Sequence, residues 1–156
     1  MMDPYKSPES EVNEPAQEVE YVGFWLRVAA SIIDSIIIVF ITTPVLFAIY
    51  GDEYFSGDSL IHGFAELLIS YILPAIAIIV FWIYKSATPG KMAVGAEIVD
   101  AKTLGKPSKW QLIGRYLGYY VSIIPFMLGI IWVAFDSRKQ GWHDKLAGTV
   151  VIHKRN

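Results

Sequence analysis

A long apolar stretch near the start of the chain, residues 24–50, constrains the fold more than any other feature of the sequence. Its 27 residues would form a helix roughly 40 Å long, which is enough to cross a hydrocarbon core of about 30 Å with some tilt. Only two charged side chains, Arg27 and Asp34, interrupt it. A charge inside such a span costs on the order of 2.5–3.5 kcal/mol by insertion scales, so each of these two needs a partner or a purpose.

The two charges belong to one polar face of the predicted helix. Arg27 and Asp34 lie seven positions apart, which is two helical turns and nearly the same direction. Four further residues fall on that side at a period of about 3.6 residues: Ser31, Ser35, Ile38 and Thr42. The pattern predicts that this face contacts protein or water rather than lipid.

The composition agrees with a membrane protein. Of the 156 residues, 54% are hydrophobic and 18% charged, and the mean hydropathy of +0.42 is typical of a small membrane protein rather than a soluble domain. A second apolar span is predicted at residues 64–84, with Pro74 in its middle. The chain has no cysteine, which excludes disulfides, thiolate chemistry and cysteine-based metal sites.

The charges are distributed unevenly along the chain. Residues 1–23 hold six acids against one lysine, and residues 51–65 hold three acids without Lys or Arg, whereas residues 85–109 carry five lysines and the tail from Asp136 carries five Lys or Arg. The positive-inside rule places both basic segments in the cytoplasm, so we expect a multi-pass protein of the cell membrane with both termini cytoplasmic. Residues 1–21, rich in Pro, Glu and Ser, are predicted to form a disordered acidic tail.

A third apolar region, residues 110–135, contains Arg115 and is broken by Pro125 and Gly129. It is compatible with one kinked span or with two shorter pieces that form a re-entrant hairpin. Because the segments on both sides are basic, an even number of crossings between them favours a hairpin that turns near Pro125 to Gly129. The predicted fold class is an all-α membrane protein with three to four transmembrane or re-entrant helices.

Two segments have a different pattern. Residues 93–100 alternate between apolar and polar side chains well enough for a strand, and the run that ends at Ile152 is also β-like. We expect the two to pair into a small β element on the cytoplasmic face. The Gly90-Lys91 pair lies in a turn-forming sequence and does not complete a phosphate-binding loop.

Several short motifs can be compared with a known family. In chain order they are Gly23-Phe24-Trp25-Leu26-Arg27, Asp34, Thr88-Pro89-Gly90-Lys91, Arg115, and the segment from Phe135 to Thr149, which is the most specific. On these motifs the chain resembles the RDD family of small bacterial and archaeal integral membrane proteins. The resemblance covers residues 22–152 as a transmembrane domain and leaves residues 153–156 as a C-terminal tail.

The family is named for an arginine and an aspartate in the first helix and a later aspartate. The resemblance assigns the first two to Arg27 and Asp34, and the third to Asp136 or Asp144. Two departures from the motif are Ser137, where the family has Pro, and Lys139, where it has a second Arg. What the resemblance implies for function is a largely unassigned role, with transport suggested and sodium/proton antiport proposed for some members.

The charged residues of the apolar regions are predicted to converge near the inner membrane surface. If Tyr21 is cytoplasmic, Asp34 lies roughly 10 Å deeper than Arg27. A hairpin places Arg115 and Asp136 in the same half of the membrane, so that four charges converge: Arg27, Asp34, Arg115 and Asp136. One interpretation is a structural ion-pair network, and the other is a binding site for a cation or proton in which Asp34 titrates. Recognition of lipid or of a partner is a third interpretation.

The remaining motif residues are predicted to be structural: Thr88, Gly90, Lys91, Gly141, His143 and Asp144. The neighbours His143 and Asp144 resemble a general base, but no nucleophile or metal ligand accompanies them, which favours a turn capped by Asp144. We expect no enzymatic activity, no cofactor and no metal.

The expected partners follow from the same features. They are the lipid bilayer, a small cation or proton, and further copies of the chain, because three or four helices scarcely enclose a pathway. The basic segments lack interleaved aromatic residues, so nucleic acid is not an expected partner.

Overall fold

The computed structural model describes residues 19–56 and 63–154. These residues are mostly helical, with one small sheet. The helices are α1 (Phe24–Tyr50), α2 (Phe64–Leu67), α3 (Leu73–Lys85), α4 (Pro89–Ala93), α5 (Lys109–Ile123), α6 (Leu128–Ile131) and α7 (Trp142–Ala147). The strands are β1 (Ala96–Asp100) and β2 (Thr149–His153). Of the tails predicted at residues 1–21 and 153–156, the structure describes residues 19–21 and 153–154. Both tails stay predictions.

Two helical segments are long and apolar enough to cross a membrane. They are Phe24–Phe55, which is α1 followed by the 3-10 helix Gly51–Phe55, and Phe64–Lys85. Only 6% of the most hydrophobic window of each is buried within the protein, so nearly all of this apolar surface is available to lipid. Both helices that the sequence predicted as spans are therefore present, each long and apolar enough to cross a membrane.

Pro74 changes the second span without ending it. A π-helical turn, Leu68–Ile72, joins α2 to α3 directly before this proline. Proline has no N–H to donate, and its ring clashes with the carbonyl group four residues earlier in a regular α-helix. The wider π turn accommodates both effects, so the span continues past Pro74.

The third apolar region is bent sharply. The pair Lys109–Ile123 and Leu128–Ala134 bends by 114°, and in the turn between them Phe126 and Met127 have positive φ angles of 54° and 61°. The turn lies where the sequence predicted it, near Pro125. Counted as one broken span, this pair would raise the number of candidate spans among the described residues from two to three.

The predicted pairing of the two β-like runs is confirmed. β1 pairs antiparallel with β2, from Ala96 opposite His153 to Asp100 opposite Thr149. The segment before α1 lies along the other edge of β2, where Tyr21 forms a β-bridge with Ile152. Buried residues from the sheet, α3, α5 and the segment before α1 form the core beneath it: Val22, Trp82, Ala96, Ile98, Leu112 and Val151.

Candidate functional site

Asp144 is the centre of a buried polar cluster below the sheet. It is the third residue of α7, and its Oδ2 atom accepts a hydrogen bond from the Gly141 N–H at 3.0 Å, which closes the first turn of the helix. The predicted cap is thus present, although it bonds the preceding backbone rather than the following one. α7 packs along α5, and this contact leaves Asp144 with no exposed surface.

Two arginines share the Asp144 carboxylate. Arg27 Nη1, from the first turns of α1, donates to Oδ2 at 2.6 Å, and Arg115 Nη1, from α5, donates to Oδ1. Arg115 also donates to Thr149 Oγ1 at 2.8 Å. Arg27 further donates to the carbonyl oxygens of Val22 at 3.1 Å and Lys139 at 2.5 Å. One carboxylate therefore joins α1, α5 and α7.

The arginines keep Asp144 charged. Burial by itself would raise the pKa of this carboxyl, but the guanidiniums of Arg115 and Arg27 outweigh burial and hold the pKa well below its usual range. Two positive charges and one negative charge therefore coexist in a buried cluster, in which each group depends on the others.

His143 lies beside this cluster as a neutral ring. It stacks on Tyr119 with ring centroids 3.9 Å apart, and its backbone N–H donates to Ser122 Oγ at 3.1 Å. Burial lowers the pKa of His143 to about 3. A side chain at Gly118 would place its Cβ 2.9 Å from the His143 Cα, so only glycine permits α5 and α7 to approach this closely. The arrangement is a packing contact.

Asp34 joins α1 to α4 instead of joining the arginine cluster. Its Oδ2 atom accepts from Thr88 Oγ1 at 2.5 Å, and its Oδ1 atom accepts from the Gly90 N–H at 2.7 Å. Thr88 is also the N-cap of α4, because its Oγ1 accepts from the Lys91 N–H at 3.4 Å. A Cβ at Gly90 would meet the Ala30 carbonyl oxygen. The motif at residues 88–91 thus fixes α4 against α1.

Asp136 orders the loop before α7. It forms an ion pair with Lys145, and its Oδ2 atom accepts from the backbone N–H groups of Arg138 and Gln140, both at 3.1 Å. Burial would raise the pKa of Asp136, but Lys145 and these N–H groups lower it overall. The Lys145 side chain is 45% exposed and the Asp136 side chain 11% exposed, so this pair is partly open to solvent.

The predicted convergence of four charges is thus found only in part. Arg27 and Arg115 do meet, but Asp144 joins them, whereas Asp34 and Asp136 are bonded elsewhere. Sequence reasoning gave Asp144 a capping role and named it, with Asp136, as a candidate for the family's later aspartate, but it did not place Asp144 among the converging charges. The signal that could have identified it is its place in the most specific motif of the chain, together with two arginines that lacked a sufficient partner.

Two neighbouring cavities border the polar face of α1. One has a volume of about 330 Å³ and is bordered by Asp34, Trp82 and Tyr119, among others. The other has a volume of about 430 Å³ and is bordered by Arg27 and His143. Four residues border both cavities: Ser31, Ser35, Lys91 and Tyr119. In residues 19–56 and 63–154, no group of three or more His, Asp or Glu residues is placed to hold a metal ion.

The apolar helices and the buried Arg–Asp–Arg cluster define the class as a membrane protein with a charged core beneath a small sheet. A family model described as the RDD family matches residues 21–148, and the chain belongs to this family. The match includes both arginines and all three aspartates discussed above.

Three relatives are similar along most of their length. The chain is 32% identical to the uncharacterized protein RP437 of Rickettsia prowazekii (strain Madrid E), over 87% of this chain and 98% of the relative. It is 32% identical to the uncharacterized protein YxaI of Bacillus subtilis (strain 168), over 85% and 97%. It is 31% identical to the uncharacterized membrane protein YteJ of the same organism, over 86% and 82%. No solved structure matches the chain.

Proposed function

We propose that this chain is a structural or accessory membrane protein, in which the cluster of Arg27, Asp144 and Arg115 holds the helices to the sheet. The observation that carries the proposal is that both oxygens of a fully buried carboxylate are occupied by arginines from two different helices. Such a group is costly to bury unless it is paired, so loss of either arginine contact would destabilise the whole assembly. A carboxylate bonded in this way has no free oxygen for a transported cation.

We also propose a multi-pass topology with a re-entrant α5–α6 pair. β1 and β2 pair directly and therefore lie on one side of the membrane, so residues 101–148 cross it an even number of times. Tyr21 bridges β2 and lies on that side too, which gives two crossings between residues 22 and 95. The lysines of residues 85–109 favour the cytoplasm for this side, and with it both termini of a protein of the cell membrane.

A second candidate function is transport of a small cation or proton. It is favoured by the position of Asp34, which borders the smaller cavity together with Ser31 and Ser35. Asp34 forms no ion pair with another described residue. A pathway of this kind would need further copies of the chain. We propose no catalytic role, because His143 is buried in a stacking contact.

Ion flux in reconstituted vesicles separates the two functions. The purified chain is placed in vesicles with a pH-sensitive dye, and a sodium gradient is applied. A structural role predicts flux equal to that of empty vesicles for wild type and for Asp34→Asn. Sodium-dependent flux that is lost in Asp34→Asn while the folded yield is unchanged would overturn the structural proposal and support transport.

A further inference from the structure

Lys91 is a buried cation without an acceptor. It is 6% exposed and borders both cavities beside α1. An ammonium group has three donors, and lysine is almost never buried unless it is paired. Within the described part of the chain, however, the Lys91 Nζ atom donates no hydrogen bond and forms no ion pair. It lies over the Trp82 ring, 6.0 Å from the ring centre.

The charges around the cavities do not balance. We count the charged side chains that border the two cavities or bond to Asp144, among the described residues. Three are cations, Arg27, Lys91 and Arg115, and two are carboxylates, Asp34 and Asp144. When Lys91 is protonated, one positive charge is therefore left uncompensated in a partly buried site; burial lowers the pKa of Lys91, and a bound anion would favour the protonated form. An uncompensated charge in a low-dielectric environment is costly, and an anion would remove that cost.

Other buried donors near Lys91 also lack acceptors. Trp82 Nε1, which belongs to the smaller cavity's lining, has no hydrogen-bond partner among the described residues. The same is true of Arg115 Nε and Nη2, and the Arg115 guanidinium carbon lies 5.4 Å from the centre of the Trp82 ring. An excess of unsatisfied donors is the environment that an oxyanion, which only accepts, would satisfy.

The rest of the cavity walls are apolar. The larger cavity continues from Lys91 along side chains of α1 and of the bent α5–α6 pair, among them Val28, Ile32, Ile36, Met127, Ile130 and Val133. Such a wall suits an alkyl chain. We propose that the cavities around Lys91 bind an anionic amphiphile, whose carboxylate or phosphate head contacts Lys91 and whose alkyl chain lies along this wall. The site goes beyond the structural role proposed above.

The test uses the full chain in an uncharged detergent, with binding measured from thermal stabilisation. The probes are laurate and dodecyl phosphate, with dodecanol as the uncharged chain, and acetate and inorganic phosphate as heads without a chain. We expect both amphiphilic anions to bind wild type at least about tenfold more tightly than Lys91→Gln, because a charge-assisted hydrogen bond is lost. Lys91→Arg should retain binding, and Lys109→Gln, at an exposed lysine, should leave it unchanged.

Three results would contradict the proposal. Equal affinity of wild type and Lys91→Gln for laurate would overturn the site and would fit a Lys91 that removes its charge by losing a proton. If acetate or phosphate binds as tightly as the amphiphiles, the site binds a small free oxyanion. The proposal that the ligand carries an alkyl chain is then overturned. If Lys91→Gln does not fold, the comparison of probes on the wild-type chain tests the proposal. Equal thermal stabilisation by dodecanol and by laurate would overturn the claim that the head group must be an anion.

Discussion

At the scale of single residues, Asp144 is the side chain on which the proposed structural role depends most, because it pairs with both Arg27 and Arg115. Its carboxylate is fully buried and balances two guanidiniums, whereas Asp136 is 11% exposed and pairs with a lysine that is 45% exposed. Removal of one partner from a buried ion network leaves an unpaired buried charge, whereas exposed pairs contribute little. The two aspartates that the sequence left as alternatives should therefore differ strongly in their effect on stability.

We expect Asp144→Asn to lower the free energy of unfolding by about 3–5 kcal/mol, because it leaves two arginines with one neutral partner. Asp136→Asn should lower it by about 1 kcal/mol or less, because the lysine of its ion pair is partly exposed and asparagine keeps an oxygen that can accept from the Arg138 and Gln140 N–H groups. Denaturant unfolding of the two variants in the same detergent compares them directly. Losses of equal size would contradict the central position of Asp144.

Histidine 143 predicts a dependence of stability on pH. Its folded pKa of about 3 lies below the ordinary value, near 6.5, so as the pH falls the unfolded chain takes up the proton first. The contribution of neutral His143 to the free energy of unfolding is fully present above about pH 6.5. Below that pH it falls by up to about 1.4 kcal/mol per pH unit, until the pH reaches the folded pKa. The depressed pKa of Asp144 acts in a lower window, because its contribution is present above about pH 3.9 and is lost below it.

The measurement is the free energy of unfolding between pH 6 and pH 4. His143→Phe, which keeps an aromatic ring against Tyr119, should remove most of the slope. His153→Phe is the matched control, since His153 lies at the end of β2, and it should keep the slope. An unchanged slope in His143→Phe would mean that this ring is not the group that titrates.

The sequence predicted the arginines but not their partner, for a physical reason. A charge inside an apolar stretch is visible locally, so Arg27 and Arg115 could be recognised from their neighbours. Helical spacing assigned Asp34 to the same side as Arg27, and the predicted hairpin brought in Arg115 and Asp136. Neither argument reaches a residue whose position depends on packing between distant helices. Asp144 is 117 residues from Arg27, and it reaches the cluster only because α7 packs on α5.

At the scale of elements, the contact between α1 and α4 depends on a glycine. A Cβ at Gly90 would lie 2.8 Å from the Asp34 Cγ and would also meet the Ala30 carbonyl oxygen. The helix α4 is short and is fixed by Thr88 and Asp34 rather than by its own length. An added methyl group should therefore separate the two helices and break the bond from the Gly90 N–H to Asp34.

We expect Gly90→Ala to lower the free energy of unfolding by about 1–3 kcal/mol, as overpacking does. Gly114→Ala is the matched control in α5, because no atom lies within 4 Å of its added Cβ. It should raise stability by roughly 0.5–1 kcal/mol, since alanine favours a helix interior. Thermal unfolding of both variants gives the comparison, and a stabilising Gly90→Ala would refute the contact.

Elements were predictable where a pattern extends over many residues. The two spans and the paired strands follow from long apolar runs and from alternation. The short helices α4 and α7 were predicted only as turns, because five or six residues are too few to show a helical period. They form because Thr88 and Asp144 bond their first turns and because they pack on longer helices.

At the scale of the whole molecule, the sheet determines the proposed topology. Three segments that are distant in sequence, residues 20–22, β1 and β2, lie side by side. They must share one side of the membrane, which a single crossing by α5 and α6 would not allow. The basic residues of the sequence led to the same hairpin, but by charge and not by contact.

Reporter fusions test this topology. A reporter that is active only in the cytoplasm should be active after residue 103, between β1 and α5, and after Asn156, and inactive within residues 51–63. The pattern follows from two proposed crossings between residues 22 and 95, with residues 51–63 between them, and from an even number of crossings over residues 101–148. A reporter after Asn156 that is active only on the outer face would contradict the re-entrant pair.

The most direct test of the account is a double-mutant cycle between Arg27 and Asp144. Free energies of unfolding are measured for wild type, Arg27→Gln, Asp144→Asn and the double variant in the same detergent. The ion pair between Arg27 and Asp144 predicts a coupling of about 1–3 kcal/mol, so the double variant should lose less stability than the two single variants together. Effects that add within about 0.5 kcal/mol would show that the two residues are independent and would contradict the cluster that holds α1 to the sheet.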